Sequence, residues 1–214
     1  MIPIPTIEGG FRVITADPAW NFKVRTPAGQ GRSAERHYDT MSLAEIKALP
    51  VASVAAKDCH LFMWITGPHL MLGGEVMKAW GFRYSGIAFT WVKLKRSIAA
   101  ADGSLSNGWR RGNHPEEHLH CGMGYTTRKN CEFVLLGRRG SPRRNAKDVR
   151  EVIVSPLREH SRKPDEFFRR VNRYAGGPRL ELFSREPREG WERWGNQVNH
   201  FSEHANGNDW QDAA

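Results

Sequence analysis

The sequence predicts an α/β fold, with a mostly parallel central sheet and helices on both faces. Short β-branched or aromatic runs end on turn residues, as buried strands do. Stretches with helix-capping residues fall between them, giving a βαβα rhythm. The first apolar run closes on Asp17-Pro18, which sets a carboxylate at the strand's C-terminal end. In open α/β sheets that edge is where ligands bind.

Val13 to Ala16 has the β-branched composition of a buried strand, and Pro18, with no N–H, stops the ladder. Residues of about 21–37 are rich in Gly, Pro, Arg and Ser without apolar periodicity and read as a lid-like loop. Ser42 with Glu45 forms a capping-box pattern, Met41 can staple against Ile46, and a short helix should run to Leu49. Cys59 to Thr66 reads as a buried strand. A helix then starts with Pro68 in its first turn, turns Leu72, Val76, Met77 and Trp80 inward, and is capped by Gly81. Tyr84 to Lys93 is the next strand, followed by a long basic loop over about 94–130. Cys131 to Gly137 is a strand, about 138–150 a basic connector, and Val152 to Val154 a short strand. Pro164 at the first helical position, with Asp165 and Glu166 in the first turn, opens a helix whose apolar face is Phe167, Phe168, Val171 and Tyr174. Leu180 to Ser184 is the last strand, and an acidic, flexible tail is expected over about 201–214.

With 214 residues and 39% hydrophobic content, the chain supports one ordinary core, so a single domain over 1–214 is expected. The net charge of +9 is uneven. From Pro187 onward two basic residues face five acids, a tail of −3, which leaves +12 on residues 1–186. Such an excess suits a polyanion, although a solvated basic surface explains it equally. Cys59, Cys121 and Cys131 are an odd, unpatterned set, which argues against a disulfide framework. The N-terminus lacks signal-peptide regions and no apolar run reaches membrane-spanning length, so a cytoplasmic protein without membrane contact is expected.

His114, His118, His120 and Cys121 carry zinc-ligand chemistry, but their spacing fits no standard tetrahedral site and no metal is expected. Phosphate-loop, nucleophile-elbow and dinucleotide fingerprints are absent, which disfavours nucleotide hydrolysis and hydride transfer. There remain Asp17, Lys163, Glu181, Arg185, Asn196 and Gln197, all at helix starts or strand ends. Each alone has a bland reading: a turn acid, a surface lysine, a strand-edge charge. Trp20 alone reads as a core residue.

Taken in order, Asp17-Pro18-Ala19-Trp20, Tyr38-Asp39-Thr40-Met41, Leu61 to Gly67, Trp91-Val92-Lys93, His160 to Glu166, Glu181 to Arg185 and Gly195-Asn196-Gln197 are more specific. This series resembles the MT-A70-type N6-adenine methyltransferases, in the short form of bacteria and their phages, from about Phe11 to Val198. Two departures stand out. The usual second proline of the first motif is Ala19. The His-Asn pair that follows the arginine in eukaryotic members is missing from Glu186-Pro187-Arg188-Glu189.

The resemblance implies a Rossmann-like fold that uses S-adenosylmethionine. It implies a catalytic motif of Asp17, Pro18, Ala19 and Trp20, with Lys163 meeting the cofactor carboxylate and Asp17 beside its amino group. Glu181, Arg185, Asn196 and Gln197 would line the ribose and adenine side, Tyr38 would stand near the target base, and Trp20 would stack on it. Lys93, Arg110, Arg111, Arg128, Arg143 and Arg144 are the candidate substrate-binding cations. The resemblance makes DNA the expected partner, with RNA, or a catalytically silent subunit of a heterodimer, as alternatives. A monomer or homodimer is otherwise expected.

Overall fold

The computed structural model describes residues 2–21, 40–98, 115–122, 127–159 and 161–203. Expectations for the loop after Asn21, for Tyr38, Arg110, Arg111 and His114, and for the tail beyond 203 lie outside them.

The elements are β1 (Phe11–Ala16), α1 (Leu43–Ala48), α2 (Val51–Val54), β2 (Ala55–Ile65), α3 (Leu70–Ala79), β3 (Arg83–Leu94), β4 (Cys131–Arg139), β5 (Val152–Pro156), α4 (Asp165–Tyr174), β6 (Arg179–Leu182), β7 (Glu192–Trp194) and α5 (His200–Glu203). The strands form one seven-stranded sheet in the order β5-β3-β4-β2-β1-β6-β7. Every pairing is parallel except the two made by β4, which runs against both β2 and β3.

Both faces of the sheet are covered, which is why β2 is a continuous apolar run and does not alternate with polar residues. Leu61, Met63 and Ile65 join one core cluster with Ile46 of α1 and Val76 and Met77 of α3. Phe62 and Trp64, pointing the other way, join Phe167, Phe168 and Val171 of α4. The capping box forms as the sequence predicts: Glu45 N–H donates to Ser42 Oγ, and Ser42 N–H donates to Glu45 Oε2. Trp80 is fully buried and its Nε1–H donates to Ile46 O over 2.9 Å, which ties α3 to α1.

Several boundaries differ from the sequence reading. A 3-10 turn at Gly67–His69 precedes α3, whose C-cap is Trp80, with Gly81 one residue on at φ 81°. Pro164 is the N-cap of α4, in extended conformation, and Asp165 takes the first helical position. β6 stops at Leu182 because Phe183 turns to φ 62°. The described part of the long loop after β3 carries 3-10 turns at Arg96–Ile98 and Pro115–His118. Short β7, α2 and α5 have no counterpart in the sequence reading, and α5 runs to Glu203, into the start of the segment expected as a flexible tail.

Two adjacent glycines in α3 predict opposite responses. A Cβ on Gly73 would lie 2.5 Å from Leu135 Cδ1 and 3.1 Å from Ile65 Cδ1, whereas one on Gly74 meets nothing within 4 Å. In urea unfolding, Gly73→Val should cost ~1–3 kcal/mol by overpacking. Gly74→Ala should stabilise by ~0.5–1 kcal/mol, because it removes helix-interior glycine entropy.

Candidate active site

β1 has β2 on one side and β6 on the other, so the strand order reverses at β1 and leaves a crevice beyond its C-terminal end. Thr15 and Ala16 lie in register with Glu181 and Leu182, so the turns after β1 and β6 meet there. A pocket at this place is lined by Thr15, Asp17, Lys163, Glu181, Phe183 and Arg185, among others. Two non-glycine residues with positive φ, Ser161 (63°) and Phe183 (62°), border it. Such conformations cost about 1–3 kcal/mol and cluster at functional sites.

The turn after β1 is pinned on both sides. Trp20 N–H donates to Pro18 O over 2.7 Å, and Met41 N–H donates to Ala19 O over 2.8 Å. A carbonyl oxygen has two lone pairs, so Pro18 O keeps one for another donor. The Trp20 ring is 5% exposed, its Nε1–H donates to Trp64 O, and it stacks on His69 with centroids 5.3 Å apart. Trp20 therefore packs in the core beside the turn, outside the pocket lining, and among the described residues its ring is covered by His69, so it offers no open stacking face in this arrangement.

Asp17 is the accessible member of a buried charge cluster. Lys163 Nζ lies 2.9 Å from Asp17 Oδ2 and 3.1 Å from Glu132 Oε2, and it also sits 5.1 Å from the Trp64 ring centroid. The side chains of Lys163 and Glu132 are 12% and 16% exposed, that of Asp17 28%, so the aspartate is the group an incoming molecule reaches. Burial raises the Asp17 carboxyl above its ordinary value, opposed by the charge of Lys163 and reinforced by that of Glu132. Burial acts against ionisation of Glu132 too, but Lys163 and Lys93 outweigh it and hold its carboxyl at about 2. Lys163 is held well above its usual range because its two carboxylates outweigh the cost of burial.

The sequence reading missed Glu132. It reaches this edge because antiparallel β4 begins where the parallel strands end. Lys93, at the end of β3, pairs with Glu132 and lies over the Trp91 ring at 4.9 Å, so the structure ties it into the cluster. Arg128 is exposed near the start of β4. Arg143 and Arg144 are exposed on the connector that leaves the other end of β4. Nine residues at ~3.4 Å each put that end about 30 Å from the site, so the two arginines are no part of the target pocket. Asn196 is exposed and Gln197 half-buried on the turn after β7, at the same sheet edge but outside the pocket lining. At the positions where the His-Asn pair is missing, Glu186 and Arg188 complete the pocket wall. Arg162 Nε donates to Glu186 Oε2 over 2.6 Å, and Arg188 pairs with the same carboxylate.

The donor set fits S-adenosylmethionine. Adjacent Asp17 and Lys163 complement an amino-acid zwitterion, and Glu181 supplies an acceptor for a diol. Phe183, Phe168 and Phe201 supply apolar surface. Thr15 lines the pocket, and its Oγ1 is buried without a hydrogen-bond partner. Among the described residues, no group of three or more His, Cys, Asp or Glu side chains could hold a metal ion. Among them, too, no helix is long and apolar enough to cross a membrane.

A mostly parallel sheet with one antiparallel strand, and an acid-led turn at the carboxyl end of β1 where the strand order reverses, are the frame of a Rossmann-like methyltransferase. The MT-A70 pattern matches residues 11–197, and the chain belongs to that family of S-adenosylmethionine-dependent methyltransferases. It is 27% identical over 206 residues to Type II methyltransferase M.MunI of Mycoplasma sp, covering 88% of this chain and 78% of that protein. It is 32% identical over 196 residues to N(6)-adenosine-methyltransferase MT-A70-like of Arabidopsis thaliana, and 29% over 197 residues to N(6)-adenosine-methyltransferase catalytic subunit METTL3 of Homo sapiens. Each of these alignments covers 90% of this chain, which spans 24% of the plant protein and 29% of the human one.

Burial pushes Glu181 up to about 7, against Arg188 and the Ser184 hydroxyl and with help from Glu186 and Asp17. Its unfolded value is 4.5, so between those pH values the folded chain holds a proton that the unfolded chain releases. Stability therefore falls as pH rises through that window and stays lower above it. Glu181→Gln should match wild type in urea unfolding at pH 4 and exceed it by up to about 3 kcal/mol at pH 8.

Proposed function

We propose that the chain transfers the methyl group of S-adenosylmethionine to the N6 amino group of adenine in DNA. The observation that carries this reading is the accessible Asp17 carboxylate, fixed by Lys163 and followed by a main-chain carbonyl with a spare lone pair. The adenine amino nitrogen is a poor nucleophile because its lone pair is delocalised into the ring. Two acceptors that bind its two hydrogens favour a pyramidal nitrogen, which localises the lone pair toward the methyl donor, and they stabilise positive charge building on nitrogen.

Asp17 Oδ1 and Pro18 O are those acceptors. Because the turn is pinned by Trp20 N–H and Met41 N–H, the two oxygens are oriented before the base arrives, which is electrostatic preorganisation. When bound in the pocket, the cofactor would supply an electrophilic methyl group on a sulfonium; as the N–C bond forms, the C–S bond breaks to leave a neutral thioether, and N6 gives up one proton to solvent. Lys163 and Asp17 orient its amino-acid end, and Glu181 its sugar. In duplex DNA the base must leave the stack, at a cost of on the order of a few kcal/mol.

Support for adenine N6 comes from the plant and animal relatives, whose names specify it. Support for DNA comes from M.MunI, a relative named as a Type II methyltransferase and not as an adenosine methyltransferase, matched over 78% of its own length. RNA is the second reading, because the plant and human relatives are named for adenosine, the ribonucleoside.

With labelled cofactor and matched DNA and RNA oligonucleotides, transfer should be faster on DNA by at least about tenfold, or ~1.4 kcal/mol. Equal or faster transfer to RNA would reverse the assignment. Asp17→Ala should lower turnover by about 10²–10³-fold or more while the folded circular-dichroism spectrum is retained. Near-wild-type turnover would remove Asp17 from the mechanism.

A further inference from the structure

We propose that Glu132 is a positioning residue: by sharing Lys163 with Asp17, it sets how much negative charge Asp17 offers to a bound amino group. The proposal deepens the methyl-transfer reading and rests on it for its functional meaning.

Four charges alternate along the carboxyl edge of the sheet, in the order Asp17, Lys163, Glu132, Lys93. An ammonium has three N–H donors and one charge. Lys163 spends donors on both carboxylates at nearly equal range, 2.9 and 3.1 Å, so neither neutralises it alone. Lys93 holds the other oxygen of Glu132 and thereby limits how strongly Glu132 draws Lys163 away from Asp17. Register fixes the arrangement. Glu132 on β4 pairs with Trp91 on β3, and Lys93 N–H donates to Asn130 O over 2.8 Å, which brings the side chains of Lys93 and Glu132 together.

The charges that face Asp17 are Lys163 from the approach to α4, Glu132 from β4, Glu181 from β6 and Arg185 from the turn after it. Lys93 acts from β3 at one remove. Removing the charge of Glu132 leaves Lys163 wholly to Asp17 and makes it a poorer acceptor. Removing the charge of Lys93 does the reverse. Loss of packing or of general stability has no reason to act with opposite sign in the two variants.

The test is a carbon-13 NMR titration of the Asp17 carboxyl in the wild-type protein, in Glu132→Gln and in Lys93→Gln, with the resonance assigned by Asp17→Asn. The titration midpoint should fall by about one pH unit in Glu132→Gln and rise in Lys93→Gln. The acidic limb of the pH profile of turnover should move with it, and the plateau in Glu132→Gln should drop about tenfold, or ~1.4 kcal/mol. Midpoints that stay put or move in the same direction overturn the proposal. Opposite NMR shifts in a protein that transfers no methyl group would uphold the charge sharing and reject the methyl-transfer reading instead. Lys93→Gln and Glu132→Asp, which should give a smaller fall, keep the test decisive if Glu132→Gln does not fold.

Discussion

One ammonium shared between two carboxylates holds the working edge of this sheet together. Lys163 lies within 3.1 Å of both Asp17 and Glu132, with little water to screen Lys163 or Glu132. Burying ions is expensive, and removing one member of such a set strands the others at about 3–5 kcal/mol. The same low-dielectric setting strengthens what remains. A carboxylate held there in a fixed direction acts on a bound polar group more strongly than one in water, so the cost in stability and the chemical capacity have one origin.

Topology creates that setting. The reversal of strand order at β1 opens a crevice, and Asp17 stands at its mouth. Antiparallel β4 delivers its first residues, Glu132 among them, to an edge where the parallel strands deliver their last. The approach to α4 brings Lys163 across the top, with Ser161 in a left-handed conformation just before it. Two dry clusters of aliphatic and aromatic side chains, one on each face of the sheet, hold these backbone segments in place.

Much of this was legible in the sequence. The capping box at Ser42 and Glu45, the apolar face of α4 and the position of Asp17 at a strand end follow from local chemistry and appear as expected. What local chemistry cannot carry is direction. The apolar run of β4 reads the same in either sense, so nothing marked Glu132 as a site residue or sent Arg143 and Arg144 to the far edge of the sheet. Strand β7, with three residues, is too short to register as a pattern. Trp20 was legible twice over, as a core residue and as a base platform. The structure favours the first, with His69 against its ring.

The claim that Asp17 and Pro18 activate an exocyclic amino group is tested most directly by the position of the transferred methyl. The measurement is mass spectrometry of nucleosides digested from DNA after incubation with trideuteromethyl-labelled S-adenosylmethionine. The account predicts label in N6-methyl-2′-deoxyadenosine. Label on a ring nitrogen or on a ring carbon of cytosine, or no labelled nucleoside at all, would contradict it.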